Sequence, residues 1–431
     1  MGFRNHTHRE TSPRLCGYTW KAAPSNSSTM LAKTSNGLPF KPLISCVKRR
    51  LRPPRPLVAH PSLRIHSTRP FSVQPILRSR EARADSPRRF TYHVAASFSA
   101  KHKTFDPTGD VFLFDPYNRI QTEKKRPKSK RPASGQDAFF ISRVGDTNAV
   151  AFGIADGVGG WEDSGVDPAD FSHSFCDYMA SAAYEHRLDA GESPLTARSL
   201  MQRGYDAVCK DRTIHAGGST AAIAIASEHG KLDVANLGDS GFVHLRLNAV
   251  HSYSEPQTHA FNTPYQLSVV PASMLARAAA FGGAQLCDYP KDADVTQHTL
   301  KHGDVLVFAS DGVWDNLFNQ DVLHIASRFM IRHGAWRAGD GGILVGDDLR
   351  PYTQPQDPSR WRAALQSALA LEITMAAKLA STSRRVDGPF AKEVQKYYPQ
   401  ENWHGGKIDD ICVIVVIVSE DGGSEATKSK Q

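Results

Sequence analysis

Three apolar runs of strand length carry a carboxylate at one end, and that pairing restricts the fold more than any other feature of the chain. Asp156 follows "AFGIA", Asp311 follows "VLVFAS", and Asp409–Asp410 precede "ICVIVVIV". The runs are short and rich in β-branched residues, so they read as buried strands rather than helices. Further strand signals are "TYHVAASFSA" (91–100), "AFFISRV", "NAVAFGIA", "STAAIAIA", "KLDVANL" and "FVHLRL". Short connections such as "GDS" (238–240) favour antiparallel hairpins over long parallel crossovers. Two amphipathic helix signals lie between the strands. In residues 167–186, Phe171, Phe175 and Tyr178 share a stripe. In residues 193–210, Ser193 can cap and Pro194 can occupy the first turn, with Ala197, Leu200, Met201, Tyr205 and Val208 buried. A third helix is expected from near Trp361 to about Leu379. Antiparallel strands with interspersed helices imply an α+β domain in which helices cover sheets.

The 431 residues carry a net charge of +8, but not evenly. Residues 1–80 hold 15 Lys/Arg and one acid, Glu10, a charge of +14, so the remainder carries −6. The basic total therefore conceals a mildly acidic domain, which argues against nucleic acid as a partner. The leader is rich in Arg, Ser and Pro, the composition of a cleaved mitochondrial transit peptide over residues 1–72 that meets the import and processing machinery. "RPFS" (69–72) looks like a processing site cut between Phe71 and Ser72. A disordered basic tail that meets acidic partners is the other reading of this segment. No apolar stretch reaches the roughly 20 residues of a membrane-spanning helix. Cys176, Cys209, Cys287 and Cys412 are too scattered for a zinc site or a disulfide framework, which suits a reducing compartment. Surface insertions are expected near 119–134, where "EKKRPKSKRP" should form a solvated loop, and over 334–360; residues 420–431 should be a disordered tail.

Strand ends converge at the edge of a sheet, so the acidic positions can gather at one point. Several carboxylates close together repel one another unless a cation compensates them. All-oxygen donors without paired His or Cys select Mg²⁺ or Mn²⁺ over zinc. Gly157 would let the backbone approach an ion and offer its carbonyl. A single Asp-Gly pair is an ordinary turn signal. Three acid-ended strands together with Asp137 and Asp239 point instead to a metal centre.

Seven motifs in order now carry a resemblance: "SGQDAFF" (134–140), "GIADGVGGWEDSGVDP" (153–168), "GGSTAAIAI" (217–225), "NLGDSGFVHLR" (236–246), "QTHAFNTPYQL" (257–267), "FASDGVWDNL" (308–317) and "GGKIDDICVIVV" (405–416). Through them the chain resembles the type 2C metal-dependent Ser/Thr protein phosphatases, most closely their mitochondrial single-domain branch, with the domain over residues 91–419. The resemblance implies two antiparallel sheets packed face to face, helices outside in a four-layer arrangement, and a binuclear Mn²⁺/Mg²⁺ site at one end. It implies that Asp156 bridges both ions, that Gly157 binds one through its carbonyl, and that Asp311 and Asp409 ligate the second. Asp137 would act through bound water, and Asp239 and Asp315 would hold a weaker third ion. Asp410 should face away, because adjacent strand residues point to opposite sides. A water shared by two ions would attack phosphorus in line, with Asp156 and Asp311 central to catalysis and no covalent intermediate. The chain is then expected to be a monomeric phosphatase of phosphoserine and phosphothreonine in mitochondrial matrix proteins. By analogy with its branch, it would act in mitochondrial metabolism or ubiquinone biosynthesis. A non-catalytic adaptor and a small-metabolite phosphatase are the alternatives.

The chain departs from the family pattern at two places. Many members have His directly after the Asp-Gly pair as a candidate general acid, where this chain has Val158. The phosphate-binding Arg near the first strand has no equivalent in "TYHVAASFSA". A metal-bound water is therefore expected to protonate the leaving alkoxide, and the ions to hold the phosphate. Trp161, Ser219, Thr220 and the "NTPYQL" segment read as packing or strand residues around the site.

Overall fold

The computed structural model describes residues 89–114, 124–187, 193–280, 287–357, 360 and 363–421, all within one compact unit, Glu81–Gln431. The expected transit segment with its processing site, residues 119–123 of the first insertion, the start of the third helix at Trp361 and residues 422–431 of the expected tail lie outside the described residues, whereas Glu420 and Asp421, expected in that tail, belong to the last strand.

In chain order, β1 (Arg89–Ser99), β2 (Val111–Leu113), β3 (Asp137–Arg143) and β4 (Val150–Asp156) precede α1 (Pro168–Tyr184) and α2 (Ala197–Lys210). Then come β5 (Gly217–Ser219), β6 (Ala221–Ala226), β7 (Lys231–Leu237), β8 (Gly241–Arg246), β9 (Ala249–Tyr253), β10 (Thr258–Ala260), β11 (Thr263–Pro264), β12 (Leu267–Val269) and α3 (Ala272–Ala280). They are followed by β13 (Asp294–Thr299), β14 (Val305–Ala309), α4 (Asp311–Trp314) and α5 (Asn319–Arg332). The described chain ends with β15 (Trp336–Gly339), β16 (Gly342–Val345), α6 (Arg350–Thr353), α7 (Leu365–Ser381), α8 (Pro389–Tyr397) and β17 (Ile411–Asp421).

Two antiparallel sheets carry the fold, one ordered β2-β1-β17-β14-β8-β9 and the other β13-β7-β6-β4-β3. Their facing sides share one core, and side-chain alternation explains why the strands read as unbroken apolar runs. In β17, Cys412, Ile414, Val416 and Val418 point into the space between the sheets, while Ile411, Val413, Val415 and Ile417 pack under α4, α5 and α7. In β4, Phe152 and Ile154 face inward and Ala151 and Ala155 meet α1 and α2. Phe152 and Phe308 join the two sheets edge to face, with ring centroids 5.1 Å apart. The result is the expected four layers, helices outside and sheets inside.

Local chemistry sets the helix starts. Asp167 caps α1 by accepting from the Ala169 N–H, with Pro168 at the first position. The cap of α2 is Thr196 rather than Ser193: Thr196 and Ser199 exchange side-chain and backbone hydrogen bonds, and Pro194 stays outside the helix. The stripe of Ala197, Leu200, Met201, Tyr205 and Val208 is buried as expected.

Two expectations are corrected. "GDS" is not a hairpin turn: β7 belongs to one sheet and β8 to the other, so residues 238–240 cross between them. Gly238 permits this with φ +97°, a left-handed conformation that side chains disfavour. The basic run is not a free solvated loop. Arg126 pairs with Asp177 at 2.6 Å and Arg131 with Asp170 at 2.8 Å, so acids of α1 hold its described part against the helix. The 334–360 segment contains the β15–β16 hairpin, anchored by the fully buried Trp336, whose indole N–H donates to the Gly303 carbonyl at 2.9 Å. The third helix, expected to end near Leu379, reaches Ser381.

Candidate metal centre

Six aspartates meet at one end of the paired sheets because the antiparallel register places their strand ends together. Asp137 opens β3 directly opposite Asp156, which closes β4. Gly241 at the start of β8 pairs with Ala309 at the end of β14, and Ala309 pairs with Val413 near the start of β17. That register brings Asp239, in the crossing before β8, to the same edge as Asp311 and Asp409. Asp315 ends the short α4 turn that Asp311 begins.

The electrostatics of the group are those of crowded carboxylates. Burial, then Asp410, Asp311 and Asp409, hold the Asp137 carboxyl well above the usual range. Burial followed by Asp137, Asp311, Asp409 and Asp239 does the same to Asp156. Asp239 is pushed up to about 7 by burial and by Asp311. Asp311 goes the other way: burial works against its charge, but Lys407 overcomes this and holds it below the usual value.

The backbone around Asp156 is fixed on both sides. Its N–H donates to Thr220 Oγ1 at 3.2 Å and its carbonyl accepts from the Thr220 N–H at 2.9 Å, while Thr220 shares a hydrogen bond with Ser240 at 2.8 Å. Gly157 then runs so close to neighbouring backbone that a Cβ would lie 2.9 Å from the Pro168 carbonyl oxygen and 3.0 Å from that of Gln136. The neighbouring aspartates 409 and 410 have different surroundings. Asp410 accepts from the Lys101 N–H at 2.7 Å and the Gln136 N–H at 2.8 Å, one for each oxygen, which ties three segments together and leaves it committed to structure. Asp409 faces Lys407, 3.2 Å away.

Two residues of the centre were not singled out from the sequence. Ser310, fully buried, donates to Asp137 Oδ2 at 2.6 Å and accepts from the Cys412 N–H at 3.0 Å. Lys407 sits among Asp311, Asp315 and Asp409. Their only sequence signal is proximity, Ser310 preceding Asp311 and Lys407 preceding Asp409 by two positions. Trp161 is buried and donates to Gln266 at 3.0 Å, a packing role.

Two observations fit this group to cations. Asp137 Oδ1 and Asp239 Oδ1 are buried oxygens with no hydrogen-bond partner, an arrangement that costs about 1–3 kcal/mol each unless something positive meets them. The donors are all oxygen, the set that hard divalent ions prefer. Among the described residues no group of three or more acids, histidines or cysteines is arranged, as the side chains stand, to hold a metal ion. The two cysteines that feel the Asp137 charge, Cys176 and Cys412, are fully buried, and burial pushes both thiols well up, away from the reactive thiolate.

The family model for protein phosphatase 2C matches residues 128–338. The chain is 30% identical over 332 residues to "Protein phosphatase 2C homolog 7, mitochondrial" of Saccharomyces cerevisiae, covering 76% of this chain and 83% of that protein. The chain belongs to the protein phosphatase 2C family. A second relative, "Protein phosphatase PTC7 homolog fig" of Drosophila melanogaster, is 31% identical over 339 residues, covering 76% of this chain and 94% of its own length. Among solved structures, the photosystem II phosphatase PBCP is 24% identical with a TM-score of 0.47, covering 66% of this chain and 91% of that one. This protein phosphatase 2C member is a protein-serine/threonine phosphatase, of a family whose activity depends on metal ions. The position after its Asp-Gly pair is Val158, which has no proton to give. Arg89, the one arginine of β1, pairs with Asp421 at the end of β17, away from Ser99 and Ile411 at the carboxylate edge.

Proposed function

We propose that the centre takes two Mn²⁺ or Mg²⁺ ions on Asp156, the Gly157 carbonyl, Asp311 and Asp409, with Asp137 acting through water. We further propose that it hydrolyses phosphoserine and phosphothreonine in mitochondrial matrix proteins. The observation that carries the metal reading is the pair of unpartnered buried oxygens on Asp137 and Asp239 inside a cluster of like charges. The basic leader and the name of the yeast relative support the mitochondrial reading. The family branch supports a role in mitochondrial metabolism, ubiquinone biosynthesis included, by analogy.

Bound divalent ions supply Lewis-acid activation of water and neutralise charge on the phosphoryl oxygens. The chain's own residues supply the rigid base. Thr220 holds the backbone of Asp156, and Ser310 holds one oxygen of Asp137, whose other oxygen is buried without a partner. No side chain at position 158 can protonate the leaving alkoxide, which takes its proton from water. A cleft of about 230 Å³ opens beside Asp239, with Tyr253, Trp314, Phe318 and Pro389 in its walls.

The test is phosphate release from phosphoserine and phosphothreonine peptides by the full chain. Mn²⁺ should restore turnover to chelator-treated protein, and Asp156→Asn should lower it by roughly 10²- to 10³-fold or more while the chain stays folded. Full activity in excess chelator refutes the metal reading. Faster release from sugar phosphates than from phosphopeptides refutes the substrate class.

A further inference from the structure

Lys407 makes the closest charged contacts at the centre. Its Nζ lies 2.6 Å from Asp315 Oδ2, 2.7 Å from Asp311 Oδ2 and 3.2 Å from Asp409 Oδ2, with Asn262 Oδ1 at 3.3 Å. The side chain is only 16% exposed, and the Phe390 ring centroid lies 5.1 Å from the ammonium. Its backbone is fixed as firmly. The Lys407 N–H donates to Asn316 Oδ1 and the Lys407 carbonyl accepts from Asn316 Nδ2, both at 2.9 Å. The same Asn316 Nδ2 donates to the Gly312 carbonyl at 2.9 Å. One buried asparagine therefore couples the lysine to the α4 turn, whose ends carry two of the carboxylates that the lysine meets.

We propose that Lys407 is a resident cation of the metal centre. As a positioning residue it shares Asp311 and Asp409 with the second ion, each through one oxygen, and stands against Asp315, the acid a third ion would need, and so limits the centre to two strongly held divalent ions. The proposal rests on the reading of Asp156, Asp311 and Asp409 as ligands given above. By resemblance, Asp239 and Asp315 would hold a weaker third ion, but in this chain an ammonium already stands beside Asp315. A divalent ion entering there must displace the lysine or sit beside a like charge, and charges at such separations interact strongly in a buried site. Lysine suits the place because its ammonium is a compact point charge with three donors, matching three carboxylates that face it from different directions. Before ions arrive, the same charge offsets part of the repulsion that would otherwise drive the three acids apart.

The experiment counts Mn²⁺ ions on the full chain by equilibrium dialysis with elemental analysis, for wild type, Lys407→Met, Lys407→Gln and Lys407→Arg. Wild type should hold two ions tightly. The methionine variant should hold a third, at least about tenfold tighter than wild type takes up any third ion, and the arginine variant should stay at two. In chelator the methionine variant should melt at a lower temperature than wild type, and Mn²⁺ should close the gap. The glutamine variant serves the same comparison if the methionine variant does not fold. Neutral variants with the wild-type ion count and affinities would overturn the proposal, as would a wild type that holds three ions equally tightly. No Mn²⁺ bound to wild type would overturn the metal reading itself, so the two failures are distinguishable.

Discussion

Replacing Ser310 with alanine removes one oxygen that serves two partners in a fully buried position. The lost hydrogen bond to Asp137 Oδ2, 2.6 Å long, is worth about 0.5–1.5 kcal/mol, because without ions burial and the neighbouring acids hold the Asp137 carboxyl well above the usual range. The Cys412 N–H, which donates to the same hydroxyl at 3.0 Å, becomes a buried donor without a partner, at a cost of about 1–3 kcal/mol. Because one side chain serves both and the neighbours relax, the two terms do not simply add, and we expect a loss of about 2–4 kcal/mol. Urea unfolding in chelator at pH 7.5 should show this as a lower midpoint with an unchanged slope. The freed Asp137 carboxylate should also weaken Mn²⁺ binding by roughly 10-fold or more, the usual consequence of losing an outer hydrogen bond to a ligand. Ser327→Ala is the control, since that hydroxyl is buried without a partner and its removal should cost less than about 0.5 kcal/mol. If the two alanine variants lose the same stability, or if Ser310→Ala binds Mn²⁺ as wild type does, the reasoning about Asp137 is wrong.

Two further outcomes follow from single side chains. Asp409→Asn should weaken Mn²⁺ binding with little change in chelated stability. Asp410→Asn should do the reverse, because Asp410 accepts from the Lys101 and Gln136 amides; calorimetric binding and urea unfolding of both variants test the pair, and an exchanged pattern would reverse the assignment. Burial pushes the His173 pKa down to about 4, below its usual value of roughly 6.5, so between those values the unfolded chain binds a proton that the native chain does not. Stability should therefore rise with pH across that window and fall as pH drops through it, by up to about 3 kcal/mol. His173→Gln should flatten this component in unfolding measured at pH 4.5 and pH 7.5, and an unchanged slope would count against it.

The sequence by itself determined the layers and the acidic edge. "ICVIVVIV" is apolar at every position because β17 is buried on both faces, and an acid placed just before such a strand lies at a sheet edge whatever the rest of the chain does. Position along the chain could not decide the partners across space. "GDS" looked like a hairpin because a tight turn has the same local chemistry whether the next strand pairs in its own sheet or in the opposite one. The difference lies in the long-range register, which here carries Asp239 across to Asp311. Asp409 and Asp410 are identical as residues; strand alternation sends them to opposite sides, and the Lys101 and Gln136 amides are what Asp410 meets on its side. Ser310 and Lys407 left no pattern to find, since a hydroxyl or an ammonium gains meaning from what it faces. The sequence determined that carboxylates would crowd one edge of the fold; the tertiary structure decided which oxygens were left without partners and which cation already stood among them.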